Sequence, residues 1–149
     1  RSVPALLTMY FALLRRRLLA ALCLACVASV ALAQDPNVIA AQAAARQWLA
    51  FVDRGDAQAS WGAAGKKFQS AISVAVWAEG LKKTQARLGT VTRRTAGPAR
   101  FSKTLSGYPE GDYAQILFST TFAKANGRES LSMEREADGK WRVIGYFPQ

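Results

Sequence analysis

Asp53, Asp56, Glu79 and Asp112 are carboxylates outside the closing hairpin run, and Tyr108, Tyr113 and Tyr146 are the phenols that could stand beside them. A buried carboxylate can take a proton while a phenol steadies the resulting oxyanion, so such a pairing would make a proton-abstraction site. Each residue also has a simpler use. Asp53 and Asp56 flank a helix break, where capping occupies them. Asp112 stands at a loop-to-strand junction, and tyrosines on strands commonly form amphipathic walls. Histidine is absent, and Cys23 and Cys26 are the only cysteines. The part of the chain beyond them therefore lacks the commonest catalytic base, the thiol nucleophile and the ligands of most zinc and copper sites. Glu110-Gly111-Asp112 supplies two acids where a calcium loop needs several at alternating positions. No Gly-x-Ser-x-Gly elbow, phosphate-binding loop or dinucleotide fingerprint occurs. The expectation is a protein that is not an enzyme and holds neither a metal nor a cofactor.

Charge is the second chemical feature. Between Lys66 and Lys103 lie nine basic residues and one acid, out of 20 basic and 10 acidic residues in the 149-residue chain. Lys82, Lys83, Arg87, Arg93 and Arg94 are the anion-binding candidates. On a helix Lys83 and Arg87 share a face with Lys82 beside them, whereas neighbours on a strand point to opposite sides, so only one of Arg93 and Arg94 can join that face. Aromatic residues are not interleaved as a base-stacking platform needs, so nucleic acid is not the expected partner. Anionic lipid or polysaccharide fits better.

The elements that must position these groups can be read from periodicity. From Pro36 to Arg54, Val38, Ala41, Ala45, Trp48, Leu49 and Val52 recur at spacings of three and four, the mark of an amphipathic helix. Gly55 suits its end, and Asp56 suits the cap of a second helix over residues 57–68. Ser73 suits the cap of a third helix running through Trp77 and Leu81. Past Gly89 the pattern turns to strands: residues 91–105, broken at Gly97-Pro98; 113–122, with Ala114, Ile116, Phe118, Thr120 and Phe122 on one face; and 129–136 after the Asn126-Gly127 turn. Asp138-Gly139 then turns into a last strand on which Trp141, Val143, Gly145 and Phe147 share a side. Helices first and an antiparallel meander second predict an α+β fold, helices on one face of a curved sheet. Trp48 and Trp141 take inward phases and are expected in the core.

Before all this stands a leader. Arg15, Arg16 and Arg17 precede an apolar run from Leu18 to Ala33 that closes Ala31-Leu32-Ala33. A basic stretch, an apolar stretch shorter than the roughly 20 residues of a membrane span and a small-residue cleavage site make a secretory signal. Cleavage is expected between Ala33 and Gln34, with Met9 offered as a start. Residues 1–33 are then an extension and signal peptide helix, and residues 34–149 form a single α+β domain, exported to the periplasm or beyond.

Trp48-Leu49 with Val52-Asp53, Ser60-Trp61, Trp77, Leu88-Gly89 followed by Arg94, Pro109-Glu110-Gly111-Asp112-Tyr113 and the ending Gly139-Lys140-Trp141-Arg142-Val143-Ile144-Gly145-Tyr146 resemble a family of small exported bacterial proteins called domain of unknown function 4019. The resemblance spans nearly all of the chain past the leader. It implies a cystatin-like or NTF2-like fold and carries no activity with it. Arg93 replaces the serine usual before the family's arginine, and Pro148-Gln149 replaces an apolar-basic ending. The chain is thus expected to be an exported envelope module that binds a small ligand or another envelope protein. The alternatives are a binder of anionic lipid or polysaccharide through its basic face, and third a cryptic enzyme of the NTF2-like kind.

Overall fold

The computed structural model describes residues 35–149. The leader and the cleavage site at Ala33 and Gln34 lie outside the described residues.

Helix α1 (Pro36–Asp53) starts where Asp35 accepts the amide proton of Asn37 at 2.8 Å and Pro36 presets the first helical dihedral. Its stripe of Ala41, Ala45, Trp48, Leu49 and Val52 is buried, as the spacing predicts. Gly55, at φ 71°, takes the left-handed turn that ends the helix. Asp56 then caps α2 (Ala57–Ala63) by accepting from the Ala59 amide at 2.9 Å, an arrangement worth about 1 kcal/mol. The single helix expected over 57–68 is in fact two, α2 and α3 (Lys66–Ala71). The break has a cause. Gly65 is drawn against the last strand, where its amide donates to the Val143 carbonyl at 2.8 Å, and a Cβ there would lie 2.9 Å from Ile144 Cγ2. Helix α4 (Val74–Leu88) begins at the Ser73 cap and buries Trp77, Leu81 and Leu88.

Strands β1 (Val91–Ser102), β2 (Tyr113–Phe122), β3 (Asn126–Arg135) and β4 (Trp141–Pro148) pair antiparallel in the order β1-β2-β3-β4. The register of β1 on β2 shifts between Ala96 and Ala99, at the expected Gly97-Pro98 interruption. Strand β2 alternates as read, with Ala114, Ile116, Phe118, Thr120 and Phe122 buried. The fold is α+β, helices packed against a four-stranded antiparallel sheet. No helix among the described residues is long and apolar enough to cross a membrane.

The last strand departs from simple alternation. A bulge against β3 pairs Met133 with Val143 but Ser132 with Gly145, so Ile144 is an extra residue and the phase reverses beyond it. Tyr146 consequently turns inward onto Trp48, and Phe147, expected on the inner side, is 60% exposed. Trp48 is a core residue. Trp141 has the inward phase but lies at the end of the sheet, packed against the edge of the core and only partly buried.

A candidate ligand pocket at the charged end of the sheet

Each of five elements contributes one polar side chain to the end of the sheet nearest the close of α1. Asp53 is the last residue of α1, and Arg94 comes from β1, Thr120 from β2, Glu129 from β3 and Tyr146 from β4. Glu129 shares the inward phase of Leu131 and Met133, so alternation places a carboxylate where the pattern otherwise places a core residue. The register shift between Val91 and Arg93 leaves Arg94 opposite the buried Thr120, on the helix side of the sheet. Tyr146 arrives by the Ile144 bulge.

Glu129 is 0% exposed, and both of its oxygens are shared. Oε2 accepts from Arg94 Nε at 2.6 Å and from Thr120 Oγ1 at 2.6 Å, while Oε1 accepts from Arg94 Nη2 at 3.0 Å and from the Tyr146 hydroxyl at 2.7 Å. A carboxylate offers about four lone-pair sites, and these donors fill them. Arg94 uses the rest of its fork on Asp53, from Nη1 to Oδ2 at 2.7 Å and from Nη2 to Oδ1 at 2.8 Å. Burial alone would ease the proton from Arg94, but its hydrogen bonds to Asp53 and Glu129 outweigh this and hold the guanidinium charged. Burial also pushes the Tyr146 phenol well above its usual range, helped by the adjacent Glu129 charge and by its hydrogen bond to it. Tyr146 is therefore a neutral donor.

Beside this cluster opens a cavity of about 240 Å³ between the C-terminal ends of α1 and α4 and the sheet. Val52, Leu81, Leu88 and Phe122 give it apolar walls, and Asp53, Glu129 and Tyr146 bring the charged cluster to it. Gln85 closes the gap between the helices by donating from Nε2 to the Val52 carbonyl at 2.9 Å. The Arg54 guanidinium, also at the lining, lies 5.0 Å over the Phe51 ring. No group of histidine, cysteine and acidic side chains among the described residues could hold a metal ion.

The residues picked out from sequence are scattered by the fold. Asp53 and Tyr146 join the cluster. Asp56 is a helix cap, Asp112 pairs with Lys103, and the Tyr113 hydroxyl donates to the Pro109 carbonyl at 2.7 Å. The five basic candidates do not form one face. Arg94 is turned inward and neutralised by two carboxylates, which removes it as an anion-binding residue. Arg93 pairs with the exposed Thr121 and points to the side of the sheet away from the helices, because neighbours on a strand alternate. Lys82, Lys83 and Arg87 remain together, exposed on α4 and outside the ion pairs formed among the described residues. Glu129, the centre of the cluster, belongs to the closing hairpin run and is not among the residues that the sequence singles out. Its signal was an acid in phase with Leu131 and Met133.

The pattern of the family described as Protein of unknown function (DUF4019) matches residues 44–146. That span holds every member of the cluster, from Asp53 to Tyr146. No curated protein and no solved structure matches the chain.

Proposed function

The chain belongs to the DUF4019 family of proteins of unknown function, and we propose that it is an exported, non-enzymatic module that binds a small ligand in the pocket between α1, α4 and the sheet. The observation that carries this reading is the union of apolar walls with a few convergent polar groups, the usual make-up of a small-molecule site. At about 240 Å³ the cavity lies below the roughly 300–1,000 Å³ of drug-sized sites, so the ligand is small. The saturation of Glu129 supports the non-enzymatic part. A proton-abstracting carboxylate needs an open lone pair facing substrate, and the carboxylate that meets the phenol here has all of its sites filled. Helices followed by an antiparallel meander support a cystatin-like or NTF2-like architecture, and the arginine-led apolar run up to Ala33 supports export.

The test is a thermal-shift screen of small amphiphiles on the whole chain and on Thr84→Trp, which places an indole at the lining. A ligand at 100 times its Kd adds about 2.7 kcal/mol to the stability of its target. Compounds that raise Tm for the parent but not for the variant support the pocket. A screen without hits, or hits that shift both proteins equally, overturns it.

A second reading has its own support. Lys82, Lys83 and Arg87 are three exposed cations within two turns of α4 that form no ion pair among the described residues, a surface suited to anionic lipid or polysaccharide.

A further inference from the structure

The opposite end of the sheet carries a different chemistry. Beyond the start of α1 the helix-facing side of the sheet continues for one more cross-strand row, in which Lys103, Asp112, Arg135 and Trp141 lie beside one another. Lys103 pairs with Asp112, the Arg135 amide donates to the Asp112 carbonyl at 2.9 Å, and Arg135 is the register partner of Trp141. Phe101, 41% exposed, sits over this row with its ring centroid 5.6 Å from that of Trp141 and the two planes at 55°. Together with Asp35 at the head of α1 these residues line a cavity of about 370 Å³.

We propose that this cavity is a binding site for a neutral saccharide. Three observations lead there. First, Phe101 and Trp141 bring two aromatic rings to the lining, the first of them exposed, and the electron-rich face of an exposed ring attracts the weakly positive C–H groups on one side of a sugar ring. Second, the polar lining is balanced: Asp35 and Asp112 offset Lys103 and Arg135, so there is no field to select an ion, and donors stand next to acceptors. A hydroxyl, donor and acceptor at once, is the group such a mixture matches. Third, the indole N–H of Trp141 donates to no group among the described residues, whereas Trp48 donates to the Ser60 carbonyl, Trp61 to the Ile72 carbonyl and Trp77 to Ser60 Oγ. A sugar oxygen seated on Phe101 would accept from it. The size is within the range of small-molecule sites, and the site shares no lining residue with the pocket at the charged end.

The experiment is saturation-transfer NMR on the whole chain with maltotriose, cellotriose and triacetylchitotriose as probes. At least one of them receives saturation on its ring protons at millimolar concentration. Phe101→Ala, at an exposed position that keeps the fold, lowers its affinity roughly tenfold. Trp141→Phe keeps an aromatic face but loses the N–H and falls between parent and Phe101→Ala. Because exposed charges are screened by salt and this site selects none, binding is unchanged up to about 0.5 M salt. Thr84→Trp binds the sugar as the parent does, which separates this site from the ligand pocket. No saturation transfer from any of the three sugars, equal affinity in Phe101→Ala, or binding that collapses with salt overturns the proposal.

Discussion

Trp48 and Arg94 both reach across the interface between helices and sheet, one from each layer, and their surroundings differ in kind. Trp48 meets Phe68, Trp77 and Tyr146 with ring centroids 5.3 to 5.9 Å away, and its N–H donates to the Ser60 carbonyl at 2.7 Å. Arg94 meets two carboxylates. The aromatic cluster removes apolar area from water and gains dispersion, so each atom in it adds stability. The ionic cluster gives up hydration of three charges and recovers it only because nearly every donor and acceptor is matched. Packing of the first kind tolerates some rearrangement. The second kind fixes one geometry, and it holds α1 and all four strands at the mouth of the pocket. This contrast predicts how each region fails.

The largest effect is expected at Arg94. Its removal by Arg94→Ala leaves Glu129 buried without a cation and costs about 5 kcal/mol, the upper end for breaking a buried pair. Arg94→Lys does not rescue it, since an ammonium cannot engage both carboxylates as the fork does. Replacing both partners, Arg94→Met with Glu129→Leu, recovers at least half of the loss, because the penalty comes from the stranded charge. Urea denaturation of the single and double variants measures this. A double variant as unstable as Arg94→Ala would mean that the ions themselves stabilise the fold.

At the aromatic cluster, Trp48→Ala costs about 4 kcal/mol through lost burial and the cavity it leaves, and no second substitution of a neighbour by a smaller residue recovers it. The partly buried Trp141 makes a control. Trp141→Ala costs about 1–2 kcal/mol, in proportion to the area it hides. Equal losses at the two tryptophans would place the core closer to the far end of the sheet than its burial indicates.

Tyr146 belongs to both regions, with its ring on Trp48 and its hydroxyl on Glu129. Tyr146→Phe keeps the ring and loses a hydrogen bond to a charged acceptor, worth about 1.5–3 kcal/mol. The pH dependence carries a sign. The folded phenol is held above its ordinary value, so between the unfolded value of about 10 and the folded one the native state binds more protons than the unfolded state. The stability from this group is intact below about pH 10 and falls as pH rises beyond it. Melts from neutral to strongly alkaline pH show the decline in the parent and a shallower one in Tyr146→Phe. Parallel declines would remove Tyr146 from the account.

The aromatic region was legible in the sequence and the ionic one mostly was not, for a physical reason. Apolar residues announce their direction through periodicity, so the α1 stripe and the β2 alternation emerged directly. A polar residue carries no such direction, and Glu129 and Arg94 look like solvated surface unless phase is followed through them. Bulges add to the difficulty. The extra residue Ile144 reverses β4 and brings Tyr146 in where Phe147 was expected, and nothing local in Val143-Ile144-Gly145 marks it. The break between α2 and α3 was hidden for the same reason, since Gly65 is needed for contact with a strand about eighty residues further along the chain.

The smallest effect on stability is expected on the outer face of α4, where neither kind of cluster reaches. Replacing Lys82, Lys83 and Arg87 with glutamine removes three exposed charges that form no ion pair among the described residues, so the stability change stays within about 0.5 kcal/mol. Their service is a question of binding alone. Each cation near an anionic membrane is worth about 1 kcal/mol, and the attraction is screened over about 10 Å at 0.1 M salt. If these residues meet lipid, sedimentation with phosphatidylglycerol vesicles at low salt is strong for the parent, weak for the triple variant and weak for both at high salt. Arg93→Gln, on the opposite side of the sheet, leaves it unchanged. Equal sedimentation of parent and triple variant would return the α4 cations to ordinary solvated surface.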